Sequence, residues 1–581
     1  MLRLYKNLKI QDWAIVVLIV GITVAQVWFT MELTDQIADI VLAIQRVSTG
    51  AAGATTGDIW REGGLMLAFA VCSALCQVAT GIAASRVASR LSATLRSKVY
   101  AKVESFSIAE VNAFSTSSLI TRTTNDIQQI HMANILILRM LIYAPIMAVW
   151  AICKINASSW QLTAATAVAV VILIACIIAI MLAVMPKFRM MQKLTDRLNG
   201  VTRENLTGIK VVRAYNAETY QERKFEKANG DFTKTQLFTG RVMALMNPVM
   251  MLVMNGLTLA IYWIGASLMN AGEIGYQTIV SFMTLASQVI LAFLMLLMMF
   301  ILLPRAEVAA KRVNEVLYMP LSICDPETEK PATEVGTVEF RDVSFRYPDA
   351  DADVFSHISF RAEKGQTIAF IGSTGSGKST LINLVPRFYD ATEGEVLVDG
   401  VNVRDMKQRT LRDKIGYVPQ KGVLFTGTVA DNIAFGGKAD REAVENAAKI
   451  AEADGFIREM EHGYDSPIAQ GGKNVSGGQK QRLSIARAVA QNPEIMIFDD
   501  SFSALDYKTD KQVRENLKEN LQGVTNLIIA QRIGTIMDAD KIIVLDQGKA
   551  VGEGTHRQLL ETCPVYREIA LSQLSKEELG L

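Results

Sequence analysis

Cysteine is scarce: six residues in 581, scattered and without ligand spacing. That excludes a disulfide framework and a cysteine-based metal site. Cys72 and Cys76 sit four apart in an apolar stretch and read as packing residues. Net charge is also missing, since 59 Lys and Arg stand against 58 Asp and Glu for a formal +1. Without a global basic field there is no case for a nucleic-acid partner. A cleavable signal is absent too: residues 1–12 are short and polar-amphipathic, and the apolar run behind them is long enough to span a bilayer. What the chain does have is apolar residues, half of its composition, unevenly spread. Long apolar runs fill the part before about residue 305, and the remainder reads as a water-soluble α/β domain.

A bilayer crossing needs about 20 apolar residues. Such runs lie near 13–31, 64–85, 135–153, 162–185, 242–269 and 279–303. Arg86, Arg90, Arg96, Lys98, Lys102 and Arg122 fall between the second and third, and a longer basic series from Lys187 to Lys234 falls between the fourth and fifth. The positive-inside rule makes both connections cytoplasmic, and with them both termini and the second domain. These connections are rich in helix formers, so the membrane helices are expected to run well into the cytosol. Residues 2–12 read as an interfacial helix, and 48–57 as a flexible external loop. Gln26, Gln77, Asn255 and Gln288 either line a solute path or make interhelical hydrogen bonds. Arg139, one turn into the third run and followed by Pro145, is a functional candidate if it lies in the hydrocarbon. If the helix extends beyond the membrane it is an interfacial charge. The methionines at 243, 246, 250, 251, 254, 295, 298 and 299 suit a promiscuous apolar cavity or simple core filling.

The second domain follows a linker, 319–335, marked by Pro320, Pro326 and Pro331. Its centre is Gly372-Ser373-Thr374-Gly375-Ser376-Gly377-Lys378-Ser379-Thr380, behind the apolar run Thr367-Ile368-Ala369-Phe370-Ile371 and ahead of an expected helix over 378–388. Strand, glycine loop and helix start in that order make an anion site, because unpaired N–H groups and the helix dipole point at the phosphates. Lys378 would reach the outer phosphates, and the Ser379 hydroxyl would ligate Mg²⁺. Val338-Glu339-Phe340 and Val343-Ser344-Phe345 read as short strands, and Tyr347 beyond them could stack on adenine. The buried run Ile495-Met496-Ile497-Phe498-Asp499 ends in a carboxylate that could complete the metal site. A second glycine-rich helix start, Ser476-Gly477-Gly478-Gln479, opens a helix over 480–490 and makes a second potential phosphate site. One nucleotide has no use for two such sites in one domain, whereas two domains facing each other do.

The phosphate loop, Gln420 in Val418-Pro419-Gln420, the run Ser476-Gly477-Gly478-Gln479, the strand ending at Asp499 and Ser503-Ala504-Leu505-Asp506 together resemble the Walker A, Q-loop, signature, Walker B and D-loop of an ATP-binding cassette domain. They occur in the family's order behind six spans, so the chain resembles a half-transporter of the bacterial ABC exporter class over nearly its whole length. Phe114-Ser115-Thr116-Ser117-Ser118-Leu119-Ile120-Thr121-Arg122 is similar to the first coupling-helix region of such exporters. Gly208-Ile209-Lys210-Val211-Val212-Arg213-Ala214, within 205–220, is similar to the approach to the second. The resemblance implies a six-helix, all-α membrane domain (13–318, behind an elbow helix at 1–12) followed by an α/β nucleotide-binding domain (336–581). It implies ATP and Mg²⁺ as cofactors, with Ser379, Gln420 and Asp499 at the metal. It implies a second half-transporter and the lipid bilayer as partners, a small hydrophobic or amphipathic solute as cargo, and a multi-pass location in a bacterial inner membrane.

Three departures from the family pattern qualify this. Asp500 stands where the family has a catalytic glutamate; one methylene less withdraws the carboxylate by about 1 Å, which can cost about 10²-fold in rate. Gln531 stands where the family has a switch histidine, and an amide can donate a hydrogen bond but cannot carry charge or shuttle a proton. Ala469-Gln470-Gly471-Gly472 lacks the usual Glu-Arg pair ahead of the signature. The expectation is the degenerate-site subunit of a heterodimeric exporter, with an intact Ser476 signature completing the partner's competent site. The alternatives are a homodimeric exporter or flippase hydrolysing slowly through Asp500, or an ATP-gated membrane protein that does not pump. An intact signature speaks against the last. The beginning of the chain, with no peptidase ahead of the first span, speaks against a leader-cleaving peptide exporter.

Overall fold

The computed structural model describes residues 2–49, 55–156, 159–437 and 439–579. Of the expected external loop, 50–54 lie outside the described residues, and so does the side chain of Met298. The chain packs as two units: Met1–Val103 with Ser117–Met319, and Glu104–Thr116 with Pro320–Leu581.

The first unit is all helical. Among the described residues six helices are long and apolar enough to cross a membrane: Ile10–Ser48, Thr56–Glu104, Thr116–Asn156, Trp160–Thr207, Glu218–Asn270 and the last from Tyr276. A helix of 49 residues, the length of Thr56–Glu104, extends about 74 Å at 1.5 Å per residue, against a hydrocarbon core of about 30 Å. The helices therefore continue far past the apolar runs, as their basic, helix-forming tails lead one to expect. The third long helix carries two π-helical turns, Arg122–Asp126 and Ile137–Leu141, and the second of these holds Arg139. Val27 and Met31 pack with Met147, Leu173, Leu257 and Phe282 in one core drawn from five of the six helices. The second helix contributes nothing to that core. Over its apolar run Leu67, Val71, Leu75, Val78 and Ile82 are exposed, whereas Val87, Leu91 and Leu95 beyond it are buried. Gln288 donates through Nε2 to Thr34 Oγ1 at 3.2 Å, an interhelical bond. Gln26 is buried, and Asn255 is exposed.

The expected interfacial helix at 2–12 is much shorter: Leu2–Tyr5 is helical, and a new helix starts at Ile10. The Asp12 carboxylate accepts from the Lys9 N–H at 3.2 Å and caps that new start, so the chain turns before it enters the first long helix.

In the second unit, a six-stranded sheet carries the order Lys549–Gly554, Lys541–Asp546, Thr367–Gly372, Thr525–Ile529, Ile495–Asp499, Ile415–Val418. All its neighbours are parallel except the outer Lys549–Gly554 pair. Burial on both faces explains the unbroken apolar runs of the central strands. One face packs against helices through Leu483, Ile485 and Val513. The other meets an antiparallel sheet built on Val338–Phe345 and Phe355–Ala362 through Phe340, Phe360 and Phe370. The two short strands expected over 338–345 are one strand, broken in register between Phe340 and Val343 where Asp342 takes φ 50°. The segment from Pro320 to Thr337 has no regular structure but is bonded down. Ser322 N donates to Glu110, Lys330 Nζ to Asp405 Oδ2 at 2.7 Å, and Thr333 N to Asp399 O at 3.0 Å.

Candidate nucleotide site

The phosphate loop leaves the Thr367–Gly372 strand at its carboxyl end. Gly372 is required there, because a Cβ would stand 1.9 Å from the Leu545 carbonyl oxygen. Gly377 takes φ 92° and passes the chain into the helix. That helix is Lys378–Ile382 rather than the expected 378–388. Pro386 lacks an N–H, Arg387 turns left-handed at φ 53°, and Phe388 N closes the turn onto Asn383 O at 3.0 Å.

Lys378 is 9% exposed, and burial lowers its pKa. All three ammonium protons are used: Nζ donates to Gly372 O at 2.9 Å, Ser373 O at 2.8 Å and Ser376 Oγ at 3.2 Å. Ser379 Oγ donates to Asp499 Oδ1 at 2.7 Å. Asp499 is buried at the end of its strand, and desolvation raises its pKa despite the Ser379 bond. A hydroxyl and a desolvated carboxylate facing each other are hard oxygen donors that suit Mg²⁺, so these residues fit the metal the fold implies. The Tyr347 hydroxyl lies 2.9 Å from Thr380 Oγ1, and its ring meets Phe345 and Tyr389 edge-on at 5.0 and 5.3 Å.

Asp500 follows Asp499 at φ 49°, 6% exposed. Its Oδ2 accepts from Gln531 Nε2 at 2.8 Å and from Gln420 Nε2 at 3.2 Å. Gln420, Asp500 and Gln531 thus form one cluster beside the loop. Two residues that sequence reasoning passed over hold it. Gln481, 1% exposed on the signature helix, accepts from Gly422 N at 3.1 Å and donates to Pro419 O at 3.0 Å, bolting the Gln420 turn to that helix. Gln573 donates to Gln531 O at 2.7 Å and accepts from Ile533 N at 2.8 Å. Gln481 shares its buried helix face with Ser484, Ile485 and Ala488, so a long polar side chain among mostly apolar positions was the signal for it; Gln573 gave none.

The signature is placed apart from the loop. Ser476 caps the helix Gly477–Ala490, accepting from Gln479 N at 3.3 Å while Gln479 Oε1 accepts from Ser476 N at 2.9 Å. A Cβ on Gly478 would stand 3.5 Å from Ala504 O. Among the described residues no hydrogen bond joins Ser476, Gly477, Gly478 or Gln479 to the phosphate loop.

Residues 104–116 also belong to this unit. The Glu110 carboxylate, 4% exposed, accepts from Ser107 N at 2.6 Å and Ser322 N at 2.8 Å. Asn112 Nδ2 donates to the Tyr389 hydroxyl at 3.3 Å.

Residues 14–293 match the family described as ABC transporter transmembrane region, and residues 355–503 match the family described as ABC transporter. An uncharacterized ABC transporter ATP-binding protein of Mycobacterium tuberculosis (strain CDC 1551 / Oshkosh) is 39% identical over 559 residues, covering 95% of this chain and 96% of that protein. An ATP-dependent lipid A-core flippase of Pseudomonas aeruginosa is 34% identical over 477 residues, covering 80% and 77%. Among solved structures, a bacterial Atm1-family ABC exporter with ATP bound superposes with a TM-score of 0.79 at 25% identity, covering 96% of this chain and 97% of that one. With six apolar helices ahead of an ATP-binding domain on one polypeptide, the chain belongs to the ABC transporter family and is an exporter half-transporter.

Proposed function

We propose that this half-transporter is the degenerate-site subunit of a heterodimeric exporter that moves hydrophobic or amphipathic solutes outward from the cytoplasmic side of a bacterial inner membrane. The observation that carries the reading is the Asp500 carboxylate, one oxygen of which already accepts from both Gln420 and Gln531. Two amides hold that oxygen, which leaves the other carboxylate oxygen of a side chain one methylene shorter than glutamate to reach a water. Gln531 cannot relay the proton onward, because an amide has no titratable group near neutral pH. In this reading Lys378 exchanges its loop carbonyls for phosphate oxygens, Tyr347 turns from Thr380 to face adenine, and Gln531 offers its second amide proton to the outermost phosphate. Ser379 and Asp499, with Gln420, would hold Mg²⁺, which neutralises phosphate charge when bound. The site binds Mg-ATP well and turns it over slowly, holding two nucleotide domains together. The name of the P. aeruginosa relative, a lipid flippase, supports an amphipathic class of cargo.

The test has two readouts. Purified alone, the chain should hydrolyse ATP slowly, and co-expression with a second half-transporter should raise turnover. Robust hydrolysis by the lone chain that Asp500→Ala abolishes would overturn the degenerate site and favour a homodimer. In vesicles, the assembled pair should move a dye or labelled lipid only with ATP. ATP binding without such movement would favour a gated protein that does not pump.

A further inference from the structure

Gln531 lies in the short connection between the strand Thr525–Ile529 and the helix Ile533–Ile536. Ala530 N donates to Phe370 O at 3.3 Å at the end of the sheet, and Arg532 follows Gln531 in an extended conformation, φ −100° and ψ 127°. The chain thus passes from sheet to helix within three residues, and the direction of the Gln531 side chain depends on what fixes the backbone there. One side chain does so at two points. Gln573 Nε2 donates to Gln531 O at 2.7 Å, and Gln573 Oε1 accepts from Ile533 N at 2.8 Å. The glutamine amide meets the two peptide groups that flank Arg532 as a neighbouring strand would, and it satisfies the first N–H of the short helix. The Arg532 side chain makes a second tie, donating to Ser503 O at 3.2 Å and to Leu505 O at 3.4 Å.

Gln573 is the last residue of the helix Pro564–Gln573. Tyr566 and Ala570 seat that helix in the core beside the six-stranded sheet, both fully buried, and the Tyr566 hydroxyl lies 2.6 Å from His556 Nδ1. Gln573 itself is exposed. It is therefore a bracket from a firmly packed element to the backbone that carries Gln531. With that backbone in place, Gln531 Nε2 meets Asp500 Oδ2 at 2.8 Å and keeps a second amide proton for a phosphate oxygen. A displacement of about 1 Å at such a group is enough to cost about 10²-fold in rate.

We propose that Gln573 is a positioning residue for Gln531, setting its amide to address the outermost phosphate of ATP. The proposal rests on the reading that Gln531 makes that phosphate contact. ADP lacks this phosphate, so the bracket matters for ATP and not for ADP. Gln573→Met keeps the length of the side chain and removes both hydrogen bonds. Affinities of the purified full chain for Mg-ATP and Mg-ADP are measured on ice, by displacement of a fluorescent ATP analogue. Gln573→Met should weaken ATP about tenfold and leave ADP unchanged, and Gln531→Ala should do the same. The double variant should lose no more than Gln531→Ala alone, because both substitutions remove one contact. ADP affinity also reports that the site of each variant is folded. Equal weakening of both nucleotides by Gln573→Met, or additive losses in the double variant, overturns the proposal. If Gln531→Ala shifts the balance between ATP and ADP and Gln573→Met does not, the bracket is overturned and the phosphate contact stands. If Gln531→Ala shifts nothing, the phosphate contact itself fails and the bracket falls with it.

Discussion

Asp499 and Asp500 are adjacent carboxylates with opposite neighbours. Asp499 faces a hydroxyl and a buried ammonium, whereas Asp500 faces two amides. Burial raises the Asp499 pKa, so its proton is held more tightly folded than unfolded. Such a group costs stability once pH climbs above the ordinary carboxylate range, and the cost grows until pH passes its raised value. Asp499→Asn keeps an oxygen to accept from Ser379 and removes the charge. It should therefore raise the melting temperature of the nucleotide-free chain at pH 7, by about 2–4 °C for each kcal/mol regained. The extra stabilisation from Mg-ATP should shrink in the same variant. A lower melting temperature without nucleotide would show that Asp499 is not electrostatically frustrated. For Asp500 the expectation runs the other way. Asp500→Glu with Gln531→His restores both the reach and the titratable partner, and should raise the turnover of this site by about 10²-fold in single-site measurements. No gain would mean that something other than these two side chains limits the chemistry.

At the scale of elements, the 104–116 segment packs with the nucleotide unit although the helices on either side of it belong to the membrane unit. Glu110 holds it by accepting from one N–H on its own turn and one on the Pro320–Thr337 segment. Burial pushes the Glu110 pKa up, but the bonds from Ser107 and Ser322 outweigh it and leave the carboxyl below its usual value. Its stabilisation is present above the ordinary glutamate pKa and fades as pH falls through the lowered one. Glu110→Gln replaces one acceptor oxygen by a donor facing an N–H, which should cost about 1–3 kcal/mol. The readout is faster protease cleavage at 104–116 and 320–337 at pH 7, with the difference from the unsubstituted chain shrinking in acid. Equal cleavage at pH 7 would mean that the clip holds nothing. The same contrast explains what was legible in the sequence. The phosphate loop, the strand ending at Asp499 and the six long helices could be read because each demands a local pattern: glycines at forced turns, unbroken apolar runs, helical length. Glu110 to the Ser322 N–H, Asn112 to the Tyr389 hydroxyl and Gln573 to the Gln531 carbonyl each join a polar side chain to a group far away in the chain, and no periodicity announces them. The helix after the phosphate loop stops short of its apolar run because Pro386 offers no N–H and Arg387 turns left-handed, and a conformation of that kind leaves no mark in the sequence.

At the scale of the whole molecule, the signature is the feature left without a counterpart. Ser476 and Gln479 complete their own capping box, and the helix start they open does not bond the phosphate loop of the same chain. The start of this 14-residue helix carries a dipole that favours an anion, and in the proposed assembly that anion is the nucleotide of a second subunit. The consequence differs between the two possible assemblies. In a homodimer every site contains one Asp500 and one Ser476, and damage to either residue strikes both sites equally. In a heterodimer Ser476 serves the partner's nucleotide, and Asp500 serves this chain's own. Ser476→Arg puts a bulky cation where the helix start meets phosphate and should lower the ATPase rate of the complex by about 10²-fold, as the loss of an oriented transition-state donor does. Asp500→Ala in the same complex should leave most of the rate. Steady-state ATPase of the two purified variants, each with its partner half-transporter, decides the matter. Equal losses mean a homodimer that works through Asp500. A large loss for Ser476→Arg alone means that the faster chemistry takes place across the interface, on the partner's phosphate loop.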